Sequence, residues 1–167
     1  MYGAFFSVTG LSSRFQHFPS LLLSGVLASR MVLLGCADPC ATAENEAILA
    51  AAAAESGTVV TESGLVFREL KAGVGPTPNT SDRVTVHYEG RLANGTVFDS
   101  SIKRGRTATF KLSGVIEGWT EGLQMLKGGG KAKLTVPPHL AYGSRYRDKI
   151  PACSVLIFEI ELFGITD

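Results

Sequence analysis

The feature that most limits the fold is a single short apolar stripe set among strand-like segments, residues 115–126. Ile116, Trp119, Leu123 and Leu126 recur at helical spacing, so they share one face of a short helix. Trp119 is the only tryptophan in the chain. Gly128-Gly129-Gly130 is predicted to end the helix, because glycine takes up the left-handed geometry of a C-terminal cap cheaply. Lys127 then falls in the last turn, opposite the negative end of the helix dipole. A helix this short is marginal alone, so its apolar face must dock on something larger.

The rest of the chain supplies that larger surface. Between residues 83 and 92, Val84, Val86 and Tyr88 alternate with Thr85, His87 and Glu89, the period of a half-buried strand. Asn94-Gly95 is a hairpin turn signal, after which Val97-Phe98-Asp99-Ser100 resumes the sheet. Residues 65–70 read as a first strand and residues 107–112 as another, separated from the hairpin by the basic turn Lys103-Arg104-Gly105-Arg106. Ala132, Leu134 and Val136 share one face, as do Leu156, Phe158, Ile160 and Leu162. Residues 139–152 form a long loop. The expectation is an α+β fold: a half-wrapped antiparallel sheet of about five to six strands packed on one short helix.

The N-terminal part differs in character. No Asp or Glu precedes Asp38, and residues 1–43 carry Arg14, Arg30 and six serines around an apolar run. This segment reads as a targeting sequence or a disordered N-terminus. Export to a periplasm or cell envelope is the favoured reading, with Leu33-Leu34-Gly35-Cys36 resembling a lipoprotein cleavage box that would make Cys36 a lipid anchor. The alternatives are an organelle transit peptide, or a cytoplasmic protein starting at Met31. Residues 44–57 are an alanine-rich helical lead-in, with Thr42 as N-cap and acids in the first turn. Residues 58–167 form the main domain. A Cys36–Cys40 bridge is the disulfide that local spacing allows in an oxidising compartment.

Several chemistries are excluded. A formal net charge of +1 without a basic stripe argues against nucleic-acid binding. The cysteines lack zinc spacing, and neither a metal nor a cofactor is expected. Lys127-Gly128-Gly129-Gly130-Lys131 is not a phosphate loop: Ala132 replaces the Ser/Thr, and the order is helix, loop, strand. No Gly-x-Ser-x-Gly elbow is present, and the alternation puts His87 on the solvent face of its strand. What remains is aromatic: Tyr88, Phe98, Phe110, Trp119, Tyr142 and Phe158, with the Asp99 carboxylate beside them. Each aromatic taken singly is ordinary core, but an apolar set with a few placed polar groups is also the composition of a ligand cavity.

Five linked motifs give this set a family resemblance. Val84-Thr85-Val86-His87-Tyr88-Glu89-Gly90, Gly95-Thr96-Val97-Phe98-Asp99-Ser100-Ser101, Val115-Ile116-Glu117-Gly118-Trp119, Ala141-Tyr142-Gly143 and Ile150-Pro151 occur in order with family-like spacing. Together they resemble the FKBP family, the macrolide-binding peptidyl-prolyl cis-trans isomerases. The lead-in resembles the bacterial Mip-like branch, without room for its long dimerisation region, so a monomer is expected.

The resemblance implies proline-containing polypeptides as substrates, macrolides as further ligands and a role in protein folding. It implies that Trp119 forms the pocket floor, with Tyr88, Phe98, Phe110, Val115, Ile116 and Phe158 lining it. It also implies that the Ile116 N–H and the Tyr142 hydroxyl donate to substrate carbonyls, that Asp99 is the polar wall and that Ile150 closes the rim. A non-catalytic peptide-binding or chaperone module on the same fold is the alternative. This chain departs from the family pattern in the loop after Tyr142. Gly143-Ser144-Arg145-Tyr146-Arg147-Asp148-Lys149 is more basic than usual, and Pro151-Ala152 stands where Pro-Pro is common. Both changes bear on substrate preference rather than on the floor.

Overall fold

The structure, a computed structural model, describes residues 38–166. The lead-in is helix α1 (Ala43–Ala53). Seven strands follow: β1 (Thr58–Val60), β2 (Val66–Lys71), β3 (Arg83–Leu92), β4 (Val97–Ser100), β5 (Ala108–Lys111), β6 (Lys131–Val136) and β7 (Leu156–Thr166). Helix α2 (Glu117–Leu123) lies between β5 and β6. The sheet is antiparallel in the order β1-β2-β6-β7-β3-β4, with β5 also pairing with β3.

The long central strands are those with the clearest alternation. β3 and β7 pair along ten residues, from Arg83 opposite Thr166 to Leu92 opposite Leu156. Val84, Val86 and Tyr88 of β3 point into the core with Leu156, Phe158, Ile160 and Leu162 of β7 and with Ala132, Leu134 and Val136 of β6. The Asn94-Gly95 turn forms as expected: Gly95 has φ +87°, and the Leu92 N–H donates to the Thr96 carbonyl at 2.9 Å. The strand count exceeds the expected five to six because of β1. It has three residues, and Val59 and Val60 are exposed, so it has no alternation to detect; it forms by pairing with β2.

α2 seats on the sheet through glycine. A Cβ on Gly118 would lie 2.5 Å from Val136 Cγ1, and one on Gly122 would lie 2.7 Å from Leu134 Cδ1. These two positions, one helical turn apart, let the helix backbone rest directly on β6. Trp119 and Leu123, buried on α2, and Leu126 just beyond it complete the core. At about 1.5–3 kcal/mol for each fully buried large apolar side chain, this contact stabilises a helix that propensity would not. The helix ends at Leu123, ahead of the glycine triplet, so Lys127 is not in its last turn. The triplet has another use: the Gly128 N–H donates to the Pro76 carbonyl at 2.9 Å and the Gly129 N–H to the Leu162 carbonyl at 2.7 Å. It joins the 73–76 loop to β7.

The lead-in is fastened more firmly than its composition suggests. Thr42 Oγ1 caps α1 by accepting from the Asn45 N–H. Glu55, just past the helix, pairs with Arg68 of β2 and Lys133 of β6. Cys40 is buried and disulfide-bonded to Cys153, 113 residues away in sequence. This corrects the expected Cys36–Cys40 bridge. Local spacing suggested that pairing, but the fold brings the N-terminal segment against the loop before β7. The Asn45 side-chain amide secures the junction, donating to the Cys40 and Cys153 carbonyls, each at 2.9 Å. Cys36 and the targeting segment lie outside the described residues, and no helix among those residues is long and apolar enough to cross a membrane.

Candidate active site

The described residues enclose a cavity of about 780 Å³ at the end of α2. Its centre is Trp119, whose ring meets Tyr88, Phe158 and Phe110 edge-on at centroid distances of 5.1, 5.3 and 5.7 Å. Phe98 continues the cluster, 5.6 Å edge-on from Phe158. Five aromatic side chains from β3, β4, β5, β7 and α2 therefore meet in one place. Val115 and Ile116 at the helix entrance, Tyr142 after β6, and Asp99 also line it. Nine of the ten side chains singled out from the sequence are thus brought together. Ile150 is the exception: it is 7% exposed, packs in the core and does not line the cavity.

Two small residues make room for the rings. A Cβ on Gly90 would lie 2.6 Å from Phe98 Cζ and 2.8 Å from Phe158 Cε1, so both rings rest on bare β3 backbone. Ser101, fully buried, fixes the strand next to Tyr88: its Oγ accepts from the Tyr88 N–H at 2.8 Å, and its N–H donates to the Tyr88 carbonyl at 3.0 Å. Ser101 Oγ also meets His87 Nδ1 at 3.0 Å, which accounts for that histidine without any catalytic role.

The polar wall is a three-residue network. The Tyr88 hydroxyl donates to Asp99 Oδ2, Arg104 Nη1 donates to Asp99 Oδ1, and Arg104 Nη2 donates to the Tyr88 hydroxyl at 3.0 Å. The Arg104 guanidinium also lies over the Tyr88 ring, 5.7 Å from its centroid. Partial burial pushes the Asp99 carboxyl up, but the Tyr88 and Arg104 hydrogen bonds outweigh it and hold the group below the ordinary aspartate value. Burial, with the Asp99 hydrogen bond, raises Tyr88. Asp99 is therefore an anchored carboxylate, and Tyr88 a neutral phenol that donates to it. Sequence reasoning treated Arg104 only as part of a basic turn. The signal was topological: β4 and β5 both pair with β3, so the turn between them folds back beside Asp99.

The groups able to donate into the cavity are few. Among the described residues no acceptor meets the Ile116 N–H, which precedes the first residue of α2. Trp119 Nε1 is buried and likewise without a partner. Tyr142 stands at the mouth, with the Arg147 guanidinium 5.4 Å from its ring centroid. His139, also at the mouth, is engaged through Nε2, which donates to the Ser63 carbonyl at 2.9 Å. Among the described residues no cluster of His, Cys, Asp and Glu could hold a metal ion. The arrangement offers an open aromatic cavity with a few hydrogen-bond donors and, among the described residues, no activated nucleophile.

Comparison with known proteins places this geometry. A family model described as FKBP-type peptidyl-prolyl cis-trans isomerase matches residues 75–163. The chain is 48% identical over 122 residues to the FKBP-type peptidyl-prolyl cis-trans isomerase FkpA of Aeromonas hydrophila, covering 73% of this chain and 46% of the relative. The crystal structure of FkpA from Escherichia coli superposes with a TM-score of 0.73 at 44% identity, over 74% of this chain and 58% of that one. A peptidyl-prolyl cis-trans isomerase structure from Pseudomonas syringae gives a TM-score of 0.70 at 35% identity, over 74% of this chain and 92% of that one. The chain spans about half the length of the curated relatives it matches. Both the profile match, which runs from the 73–76 loop through β7, and the aromatic cavity within it have one meaning: this chain belongs to the FKBP-type peptidyl-prolyl cis-trans isomerase family.

Proposed function

We propose that the domain catalyses cis-trans isomerisation of X–Pro bonds in polypeptides without covalent chemistry. The observation that carries this reading is the edge-on packing of Tyr88, Phe110 and Phe158 around Trp119, beside an anchored, ionised Asp99. Rotation about an X–Pro bond costs about 18–20 kcal/mol because it breaks amide resonance. The twisted amide carries less charge separation than the planar one, so a dry apolar cavity favours it. Donors placed for the twisted geometry add to that preference. Each ~1.4 kcal/mol of difference gives about a tenfold rate gain.

In this reading the substrate proline ring lies on Trp119, between Tyr88, Phe98, Phe110 and Phe158. Val115 shapes the same wall. The Ile116 N–H and the Tyr142 hydroxyl bond substrate carbonyls. Asp99, held by Arg104 and Tyr88, supplies a fixed negative wall. Ile150 supports the rim from the core rather than closing it. Macrolides carrying a proline-like ring would occupy the same cavity.

The domain assists the folding of exported proteins. The Cys40–Cys153 bridge supports an oxidising compartment over the cytoplasm. Mass spectrometry of the mature N-terminus tests both cleavage ahead of Cys36 and lipidation at Cys36. A protease-coupled proline-peptide assay tests the activity. Turnover above background at micromolar protein is expected, and its absence from a folded sample would overturn the reading.

A further inference from the structure

The 142–150 loop carries charge that the proposed chemistry does not use. Arg145 and Arg147 both line the cavity mouth. Both are exposed, and among the described residues neither guanidinium has a carboxylate partner. The contrast with Arg104, committed to Asp99 and Tyr88, is sharp. Lys149 adds a third cation, and Asp148 is the loop's only acid.

Backbone hydrogen bonds brace the loop that carries these side chains. The Arg145 N–H donates to the Tyr142 carbonyl at 3.1 Å, and Arg147 and Ile150 exchange backbone hydrogen bonds at 3.0 and 2.6 Å. The Cys153 N–H donates to the Gly143 carbonyl at 2.8 Å, and Cys153 is itself held by the disulfide and by Asn45. Arg147 is further fixed by stacking on Tyr142, whose hydroxyl faces the bond to be rotated in the proposed reading. Among the described residues the other charged groups lining the mouth are acids: Asp99, paired with Arg104, and Glu117 at the start of α2. The mouth is therefore basic on the Tyr142 side and acidic on the α2 side.

We infer that Arg145 and Arg147 are specificity-determining residues that select polypeptides with an acidic side chain immediately before or after the proline. This rests on the isomerase reading and adds the substrate class. A carboxylate next to the proline would meet a guanidinium beside Tyr142, and a lysine there would meet two like charges. Guanidinium suits the task because its planar fork matches a carboxylate and is weakly hydrated.

The test is exchange-based, so no protease preference intrudes. Short peptides carry Glu, Gln, Leu or Lys before the proline in one series and after it in a second. Turnover by the full chain is measured at low salt and at about 0.5 M salt, where the Debye length falls to a few ångströms. The expected result is about a five-fold preference for Glu over Lys at low salt in at least one series, corresponding to ~1 kcal/mol. High salt or the Arg145→Gln/Arg147→Gln double variant should bring the ratio close to one. The Arg145→Lys/Arg147→Lys variant should keep most of it, because charge is retained. Equal turnover of Glu and Lys peptides in both series would overturn the rim assignment and leave the isomerase reading standing. So would a preference that the Gln variant retains. A folded protein that turns over no peptide at all would overturn both.

Discussion

Replacing Cys40 with alanine tests how much of the domain depends on a bridge that sequence spacing does not reveal. The disulfide spans 113 residues, nearly the whole described chain. In the chain-entropy treatment, a closed loop of that length lowers the entropy of the unfolded state by about 16 cal/mol/K, or about 4.8 kcal/mol at 25 °C. A Cys36–Cys40 bridge would close only about five residues, worth about 2 kcal/mol by the same relation, and would leave the rest of the chain unconstrained. Measured losses on removing native disulfides run about 2–5 kcal/mol, because the unfolded chain retains some structure. Asn45 can still hold the Cys153 carbonyl in the variant, which limits the native-state change. We expect Cys40→Ala to lower unfolding free energy in urea by about 3–5 kcal/mol. At about 4 °C per kcal/mol for a domain of this size, the loss in Tm should be 12 °C or more. Wild type in reductant should move onto the variant's curve, and non-reducing peptide mapping should recover a Cys40–Cys153 cross-linked fragment. Equal stability of variant and wild type in the absence of reductant, or a mapped Cys36–Cys40 fragment, would show that no Cys40–Cys153 bridge constrains the chain.

Other expectations concern the cavity and its surroundings. Gly90→Ala should collapse the cavity, because the new methyl meets Phe98 and Phe158 at under 3 Å. Overpacking of this kind costs about 1–3 kcal/mol, and peptide turnover should fall at least about ten-fold while far-UV dichroism is kept. Arg104→Gln should lower turnover several-fold, by freeing Asp99 and Tyr88, with little loss of stability because solvent screens the pair. Asp99, Glu55 and Glu159 are all held below their ordinary values: Glu55 chiefly by the Lys133 hydrogen bond, and Asp99 and Glu159 by partners that outweigh burial. Depressed carboxyls stabilise the fold above their unfolded values, near pH 4, and that stabilisation is lost as pH falls through the folded values. Urea midpoints should therefore be flat with respect to these groups from about pH 7 to 5 and fall below about pH 4. In Asp99→Asn the acid-side decline should be shallower.

Much of the framework is legible because it is written in local periods. The alternation in β3, β6 and β7 and the Asn94-Gly95 turn each name a face or a bend within a few residues. The aromatic set is legible too, because Tyr88 and Phe158 lie on the alternating strands β3 and β7, and Phe98, Phe110 and Trp119 on the short elements between them. What escapes is whatever depends on elements meeting. β1 has too few residues to show a period and exists by pairing with β2. Cys153 finds Cys40 only after the chain has closed. Arg104 reaches Asp99 because β4 and β5 share β3 as their partner. Gly118 and Gly122 look like weak points in a helix until β6 is placed beneath them, where any side chain would clash with Val136 or Leu134. Ile150 carries the family motif, yet packs inward, because its backbone pairing with Arg147 turns its side chain to the core.

On the proposed function, this cavity lowers the barrier to X–Pro rotation rather than merely holding proline. Two-dimensional exchange NMR on a proline peptide, with catalytic amounts of the full chain, measures that without protease or label. Cis–trans exchange cross-peaks should build with protein concentration and weaken in a folded Phe98→Ala variant. Peptide resonances that broaden on binding, with no exchange between the cis and trans signals, would contradict it and identify a binding module instead.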